Sequence, residues 1–102
     1  MNVLLSTDTE GVEFELEGGK YQLVVADTAD SSDTELTAAV TMQIKLPGFS
    51  PAYWIDTDVT FSADGVKAFE ASPASVYRVV TDTAGAVAHI ETIEKINNPF
   101  RV

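Results

Sequence analysis

The sequence contains no cysteine and a single histidine among its 102 residues. The missing cysteine excludes disulfide bonds, thiolate metal sites and cysteine nucleophiles, and it leaves the redox compartment open. The N-terminal segment has no basic region, and no apolar run approaches the length needed to cross a bilayer. We therefore predict a soluble protein with no membrane partner and no readable targeting signal.

Positive charge is scarce in this chain. Six lysines and arginines stand against 16 aspartates and glutamates, for a formal net charge of -10, and the cations are scattered along the sequence. A phosphate backbone would be repelled by such a surface, so we predict no nucleic-acid partner. The apolar content of 45% is nevertheless that of a folding chain, because disordered sequences lack the apolar surface that offsets chain entropy.

The sequence offers few side chains that are arranged for catalysis. His89 would need a serine and an aspartate such as Asp82 to form a hydrolytic triad, and no serine lies in a recognisable nucleophile elbow. A histidine on the surface or edge of a sheet is the simpler interpretation. We predict no catalytic residue and no cofactor, so that His89→Ala leaves any activity unaltered.

Three acidic segments offer oxygen atoms to a hard cation. They are residues 8–10, residues 56–58 and the spaced aspartates of residues 27–33. None matches the spacing of an EF-hand loop, and aspartate and serine are also the residues that cap backbone groups in solvated turns. We interpret these segments as turns and predict no metal site, with a calcium-binding loop as the alternative.

Alternation of apolar and polar residues dominates the sequence. It places three apolar side chains on one face of residues 12–17 and six on one face of residues 36–46, with a period of two that is typical of half-buried strands. Further strands are predicted at residues 21–26, 53–61, 66–70, 76–82 and 86–93. Glycine-containing turns at residues 18–20 and 64–65 predict that the strands on either side pair as hairpins.

About seven strands at spacings of roughly 8 to 12 residues are typical of a two-sheet antiparallel sandwich. We therefore predict an all-β fold with a single β-sandwich domain at residues 11–96. Residues 1–10 are predicted to be an extended N-terminal arm, and residues 97–102 an extended C-terminal tail. Either end would bind a neighbouring subunit by adding a strand or inserting apolar side chains, and frayed ends are the alternative.

Apolar side chains that the sandwich does not need are candidates for contact with a partner. Alternation puts Tyr53 and Ile55 on one face of a strand and Trp54 on the other, and a monomer this small rarely buries both faces of a sandwich strand. Residues 76–80 are likewise apolar on both faces. The predicted partner or oligomer interface comprises Leu4, Leu5, Tyr53, Trp54, Tyr77, Phe100 and Val102.

Several segments of this chain follow one another in an order that resembles a known group of proteins. The segments are Gly19-Lys20-Tyr21-Gln22-Leu23-Val24-Val25, Thr41-Met42-Gln43-Ile44-Lys45-Leu46-Pro47, the aromatic stretch around Trp54, Phe61-Ser62-Ala63-Asp64-Gly65-Val66, and Val76-Tyr77-Arg78-Val79-Val80. This succession, over about residues 19–93, resembles the small β-sandwich virion structural proteins of tailed bacteriophages, several of which look like capsid decoration (cement) proteins. A glycine that commonly precedes the Tyr-Arg pair is absent at residues 74–76.

The resemblance implies a non-enzymatic protein, made in the host cytoplasm, that binds the major capsid protein on the outer surface of the head. It also implies a homo-oligomer, with a trimer favoured, that stabilises the shell. The alternative is a phage fibre or adhesin module in which Trp54 stacks on a sugar. A third hypothesis is an accessory carbohydrate- or calcium-binding domain of a larger bacterial assembly.

Overall fold

A computed structural model describes residues 1–27, 39–82 and 85–95 of the chain. These ranges contain eight β-strands and no helix, which confirms the predicted all-β class. The strands are β1 (Asn2–Leu4), β2 (Phe14–Leu16), β3 (Gly19–Asp27), β4 (Val40–Leu46), β5 (Tyr53–Phe61), β6 (Gly65–Ala71), β7 (Ser75–Thr81) and β8 (Ala86–Lys95).

The strands form two four-stranded antiparallel sheets that pack face to face, so the predicted sandwich is confirmed. The first sheet has the order β1-β8-β3-β6 and the second the order β2-β7-β4-β5. Their inner faces carry the core, whose members include Leu23 of β3, Met42 of β4 and Val79 of β7, each at most 2% exposed. Period-two alternation places these side chains inside, since successive residues of a strand point to opposite faces.

The amphipathic strands predicted from the sequence are confirmed in part, since Val12, which is predicted to begin the first of them, lies before β2 and is 57% exposed. Phe14 and Leu16 are buried while Glu15 between them is exposed. Val40 and Met42 are buried, and Ile44 and Leu46 at the end of the same strand are half-buried. The first three residues predicted for this strand, 36–38, fall outside the described residues.

The two predicted hairpins are wrong. β2 pairs with β7 and β3 pairs with β6 and β8, so residues 17–18 carry the chain from one sheet to the other. β5 and β6 also belong to different sheets, although only residues 62–64 separate them and Gly65 is the first residue of β6. A glycine-containing turn reverses the chain equally well within one sheet or between two facing sheets. Within the described residues, the only consecutive strands that pair with each other are β4 and β5.

The N-terminal residues belong to the sandwich and do not form the separate arm that the sequence predicts. β1 pairs with β8, and Val3 and Leu4 are 0% and 2% exposed. The backbone N–H of Ile90 donates to the Met1 carbonyl at 2.8 Å. Residues 9–11 then run beside β7, where the Gly11 N–H donates to the Val79 carbonyl at 2.8 Å. This additional strand raises the count from the predicted seven to eight.

Candidate docking surface

The two sheets cover each other incompletely at one corner, because β6 crosses the second sheet at an angle. The ammonium of Lys67 lies 5.2 Å from the ring centroid of Phe61 in β5. Two residues further along β6, the ring of Phe69 lies 6.1 Å from that of Tyr77 in β7. Facing sheets commonly cross at about 30°. β6 therefore moves away from β5 along its length and leaves the beginning of β5 uncovered.

An apolar surface lies at this uncovered corner. In the β4–β5 pair, Ile44 is opposite Ile55 and Leu46 is opposite Tyr53, and side chains in directly opposed positions share a face of the sheet. Ile44 packs against the core, whereas Tyr53 is 53% and Ile55 40% exposed. Phe49 is 56% exposed, and its ring centroid lies 5.5 Å from that of Tyr53. We call Ile44, Leu46, Phe49, Tyr53 and Ile55 the corner patch.

A β-bulge in β5 contributes to this geometry. Thr41 is opposite Thr60 and Gln43 is opposite Asp56, so that three residues of β5 face the single residue Met42 of β4. The Thr57 hydroxyl holds the bulge by donating to the Met42 carbonyl at 2.7 Å and accepting from the Val59 N–H at 3.1 Å. Bulges bend a strand and increase its twist. The second half of β5 packs against the core. The first half, which precedes the bulge, runs in a different direction.

The edge of β5 lies next to the corner patch. Among the described residues, β4 is the only strand paired with β5, and no described residue pairs with the opposite edge. At the far end of this edge, Lys67 Nζ donates to the Thr60 carbonyl. The exposed carboxylates of Asp56 and Asp58 follow the apolar residues along the strand. The stretch open to another strand is therefore residues 53–56.

Trp54 points to the opposite, outer face of the second sheet, as its position between Tyr53 and Ile55 predicts. The guanidinium of Arg78 lies 4.5 Å from its ring centroid, within the range of a cation–π contact. Arg78 also bonds Glu10 at 2.9 Å and Gln43 Oε1 at 2.8 Å, and Gln43 Nε2 donates to Asp56 at 2.9 Å. Half-buried Trp54 is thus part of a polar network that joins three strands and does not belong to the corner patch.

The remaining predicted interface residues lie in other places. Leu4 and Tyr77 are 2% and 5% exposed, so they fill this chain's own core and present no surface to a partner. Tyr77 lies in a central strand, with its ring 6.0 Å from that of Phe14. Leu5 is 53% exposed, next to the Leu4–Ala88 pair and away from the corner patch. Phe100 and Val102 fall outside the described residues.

Two exposed residues of the corner patch, Ile55 and Phe49, are not among the predicted interface residues. Alternation already placed Ile55 on the same face as Tyr53. Phe49 lies close to Tyr53 in the sequence, which favours an exposed aromatic anchor, but no periodic pattern gives its orientation, since it lies in the β4–β5 connection, where Gly48 has a positive φ of 86°. An open groove of about 360 Å³ adjoins Phe49, between this connection and residues 73–75. The corner patch offers a ligand apolar area, an aromatic pair and main-chain hydrogen-bonding groups.

His89 lies on the outer face of the first sheet, with Nε2 3.1 Å from a Glu91 carboxylate oxygen. Within residues 1–27, 39–82 and 85–95, no three histidine, aspartate or glutamate side chains are grouped so that they could hold a metal ion. The predicted calcium alternative involves residues 27–33, which lie largely outside these ranges.

In the part of the chain that the structure describes, no helix has the length and apolar character to cross a membrane. Comparison with protein-family models, with curated proteins and with solved structures gives no match.

Proposed function

We propose that this protein is a non-enzymatic virion structural protein that decorates the outer surface of a tailed-bacteriophage head and assembles there through the corner patch. The observation that carries the proposal is the cluster of Phe49, Tyr53 and Ile55, each at least 40% exposed on one continuous surface. Contiguous exposed apolar side chains are characteristic of protein interfaces, whereas single exposed ones need no explanation.

The composition of the corner patch fits a protein contact. Aromatic residues are enriched at interface hot spots, where they contribute large apolar area with few rotatable bonds. The floor of the patch, Ile44 and Leu46, belongs to a strand of the sandwich and is therefore rigid. A preformed surface of this kind loses little conformational entropy when it binds.

A decoration protein stabilises a shell by mass action. A ligand that binds the assembled shell but not its separated subunits stabilises the assembled state by RT ln(1 + L/Kd) per site, where L is the free ligand concentration. Copies joined in an oligomer bind with a high effective concentration, so that weak single contacts become sufficient. The net charge of -10 supports this role, because like-charged copies stay soluble when they are crowded on a particle.

The proposal is tested with expanded phage heads that lack their decoration protein. The Tyr53→Ser/Ile55→Thr variant should bind these heads at least about 30-fold more weakly than the wild type, which corresponds to losing one hot spot of about 2 kcal/mol. The control variant is Val66→Thr/Ile93→Thr, which removes apolar groups that are 55% and 53% exposed outside the corner patch. This control should bind and protect the heads against heat as the wild type does.

Two results would reject the proposal. The first is that the wild-type protein neither binds the heads nor raises their resistance to heat or chelator. The second is that the two double variants bind equally well. Light scattering after size exclusion gives the mass in solution, for which we expect a homo-oligomer, with a trimer favoured.

The alternative, a carbohydrate-binding adhesin module, rests on the network around Trp54. An aromatic ring beside an amide and a carboxylate, here Gln43 and Asp56, is the combination that stacks on a sugar and bonds its hydroxyl groups. The Arg78 guanidinium already contacts the ring, so a sugar would have to use the part of the ring that Arg78 leaves open. Binding to a glycan array that disappears in Trp54→Ala, with head binding absent, would establish this function instead.

A further inference from the structure

The unpaired edge of β5 and the corner patch together specify a ligand. An extended segment that adds a strand beside residues 53–56 alternates its side chains between the two faces of the sheet. One face presents Tyr53 and Ile55, and the other presents Trp54 and Asp56. Asp58 follows on the same strand, so the edge is acidic. The matching segment therefore has apolar residues on both sides of a cation.

The chain itself contains this pattern at Phe100-Arg101-Val102, directly after Pro99. We propose that residues 96–102 of a second copy of this chain bind along the open edge of β5, with Phe100 and Val102 on the corner patch and Arg101 beside Asp56. Pro99 is compatible with this arrangement, since a proline is tolerated where a segment enters an edge position. The inference rests on the proposed function in that both use the corner patch as an assembly contact.

The geometry favours a second copy over the same chain. β8 ends at Lys95 opposite Gly19, and Gly19 is also opposite Ala71 of β6, so β6 lies two strand spacings from Lys95. The Phe69–Tyr77 contact places β6 over β7, and β5 lies two further spacings beyond β7. Four spacings of about 4.8 Å and a sheet separation of about 10 Å give a path of about 20 Å or more.

The length of chain between Lys95 and Phe100 is too short for this path. Five residues span at most about 18 Å when fully extended. The β6–β7 connection at residues 72–74 also lies at this end of the sandwich, beside the corner patch, and connections in a domain rarely cross one another. A second copy has neither constraint, because its position relative to the first is free.

The contact is heterologous, since an end segment of one copy meets the β5 edge of the next. Contacts of this kind generate a ring when the rotation between copies closes. A closed ring of copies would present identical surfaces to a shell, which is the arrangement that a decoration protein with multiple weak contacts requires. The open edge would then be paired in the oligomer, which removes the aggregation risk of a bare edge strand.

A charge-reversal experiment on the full-length chain tests the inference. Sedimentation velocity and light scattering should show an oligomer for the wild type at micromolar concentration. Arg101→Glu and Asp56→Lys should each raise the dissociation constant about 10- to 100-fold, because each opposes like charges. The double variant Asp56→Lys/Arg101→Glu should restore the wild-type mass, since it re-creates the opposite pair in the other sense.

Two further variants complete the design. Glu70→Lys makes the same charge change as Asp56→Lys at an exposed position on β6 and should leave the mass unchanged. Phe100→Ser/Val102→Ser alters no described residue and should yield a folded monomer with an unchanged circular dichroism spectrum. Thermal unfolding checks that Asp56→Lys, which loses the hydrogen bond to Gln43, remains folded.

The inference is overturned if the wild type is a monomer, if the Arg101→Glu and Phe100→Ser/Val102→Ser variants keep the wild-type mass, or if the double charge variant remains dissociated. Head binding by the wild-type protein is measured separately from its oligomeric mass. An oligomer that responds as expected but does not bind heads would reject the decoration function and leave the inference standing. Head binding by an oligomer whose mass does not change in the variants at residues 100–102 would reject the inference and leave the decoration function standing.

Discussion

Gly11 is the position at which one added methyl group should be most harmful. Its backbone passes between the first and second sheets, and its N–H donates to the Val79 carbonyl at 2.8 Å. A Cβ atom at this position would lie 2.0 Å from the Val3 carbonyl oxygen and 2.9 Å from the Val79 carbonyl oxygen. Carbon and oxygen atoms in contact are normally about 3.3 Å or more apart. The backbone of Gly11→Ala therefore has to move by about 1 Å or more.

The cost of this movement can be worked out from its parts. Overpacking in a well-filled site costs about 1–3 kcal/mol, and weakening the hydrogen bond to Val79 costs about 1 kcal/mol. Alanine restricts the unfolded chain more than glycine, which returns about 0.4–1 kcal/mol. We expect Gly11→Ala to lower the free energy of unfolding by about 2–3 kcal/mol. For a domain of this size, that lowers Tm by roughly 10–20 °C.

Urea denaturation followed by circular dichroism measures the effect, with Gly65→Ala as the matched control. A Cβ at Gly65 would meet only the Phe61 ring, at 3.8 Å, which is ordinary van der Waals contact. Gly65→Ala should therefore not lower stability, and its effect on the unfolded chain should raise the free energy of unfolding by up to about 1 kcal/mol. Equal stability of the two variants would refute the reasoning, because it would mean that residues 9–11 are not packed between Val3 and β7.

Three further predictions concern stability. Leu23→Ala should cost about 2–5 kcal/mol in a urea titration, because Leu23 is 0% exposed at the centre of the first sheet; a loss below 1 kcal/mol would contradict its place in the core. Deleting residues 1–5 should lower Tm markedly, since Val3 and Leu4 are buried, whereas an unchanged Tm would restore the arm interpretation. Arg78→Ala should lower the free energy of unfolding by about 1–2 kcal/mol, whereas Glu10→Gln should lower it by only a few tenths of a kcal/mol. The Arg78 side chain is 19% exposed and that of Glu10 is 66% exposed, so the ion pair between them is screened by solvent. Equal losses would show that this ion pair contributes more than the contacts of Arg78 with Trp54 and Gln43.

The sequence predicts the strands well because a strand that is buried on one face has alternating apolar and polar residues. Phe14 and Leu16, or Val40 and Met42, alternate with polar residues whatever the partner strand is. Which strand lies beside which is not recorded in this way. The turn at Asp64–Gly65 has the composition of a hairpin, yet the chain crosses there to the other sheet, because pairing is decided by contacts between distant segments.

The candidate site was predictable only in part for the same reason. Alternation places Tyr53 and Ile55 on one face, and that is confirmed by their pairing with Leu46 and Ile44. Whether this face is covered depends on the angle between the sheets, which no local pattern encodes. Leu4 and Tyr77 show the opposite error, since apolar residues near an end or in a doubly apolar strand look available and are in fact buried.

The pairing of β1 with β8 has a consequence for how this protein is made. The strand formed by residues 2–4 leaves the ribosome long before its partner at residues 88–89 and cannot pair until that partner has been synthesised. In the described part of the chain, β4–β5 is the one sequential strand pair, so little of the sandwich can form before β8 is synthesised. The nascent chain should therefore remain an incomplete, aggregation-prone intermediate until β8 has been synthesised, and the yield of folded protein should depend on chaperone capacity as well as on expression.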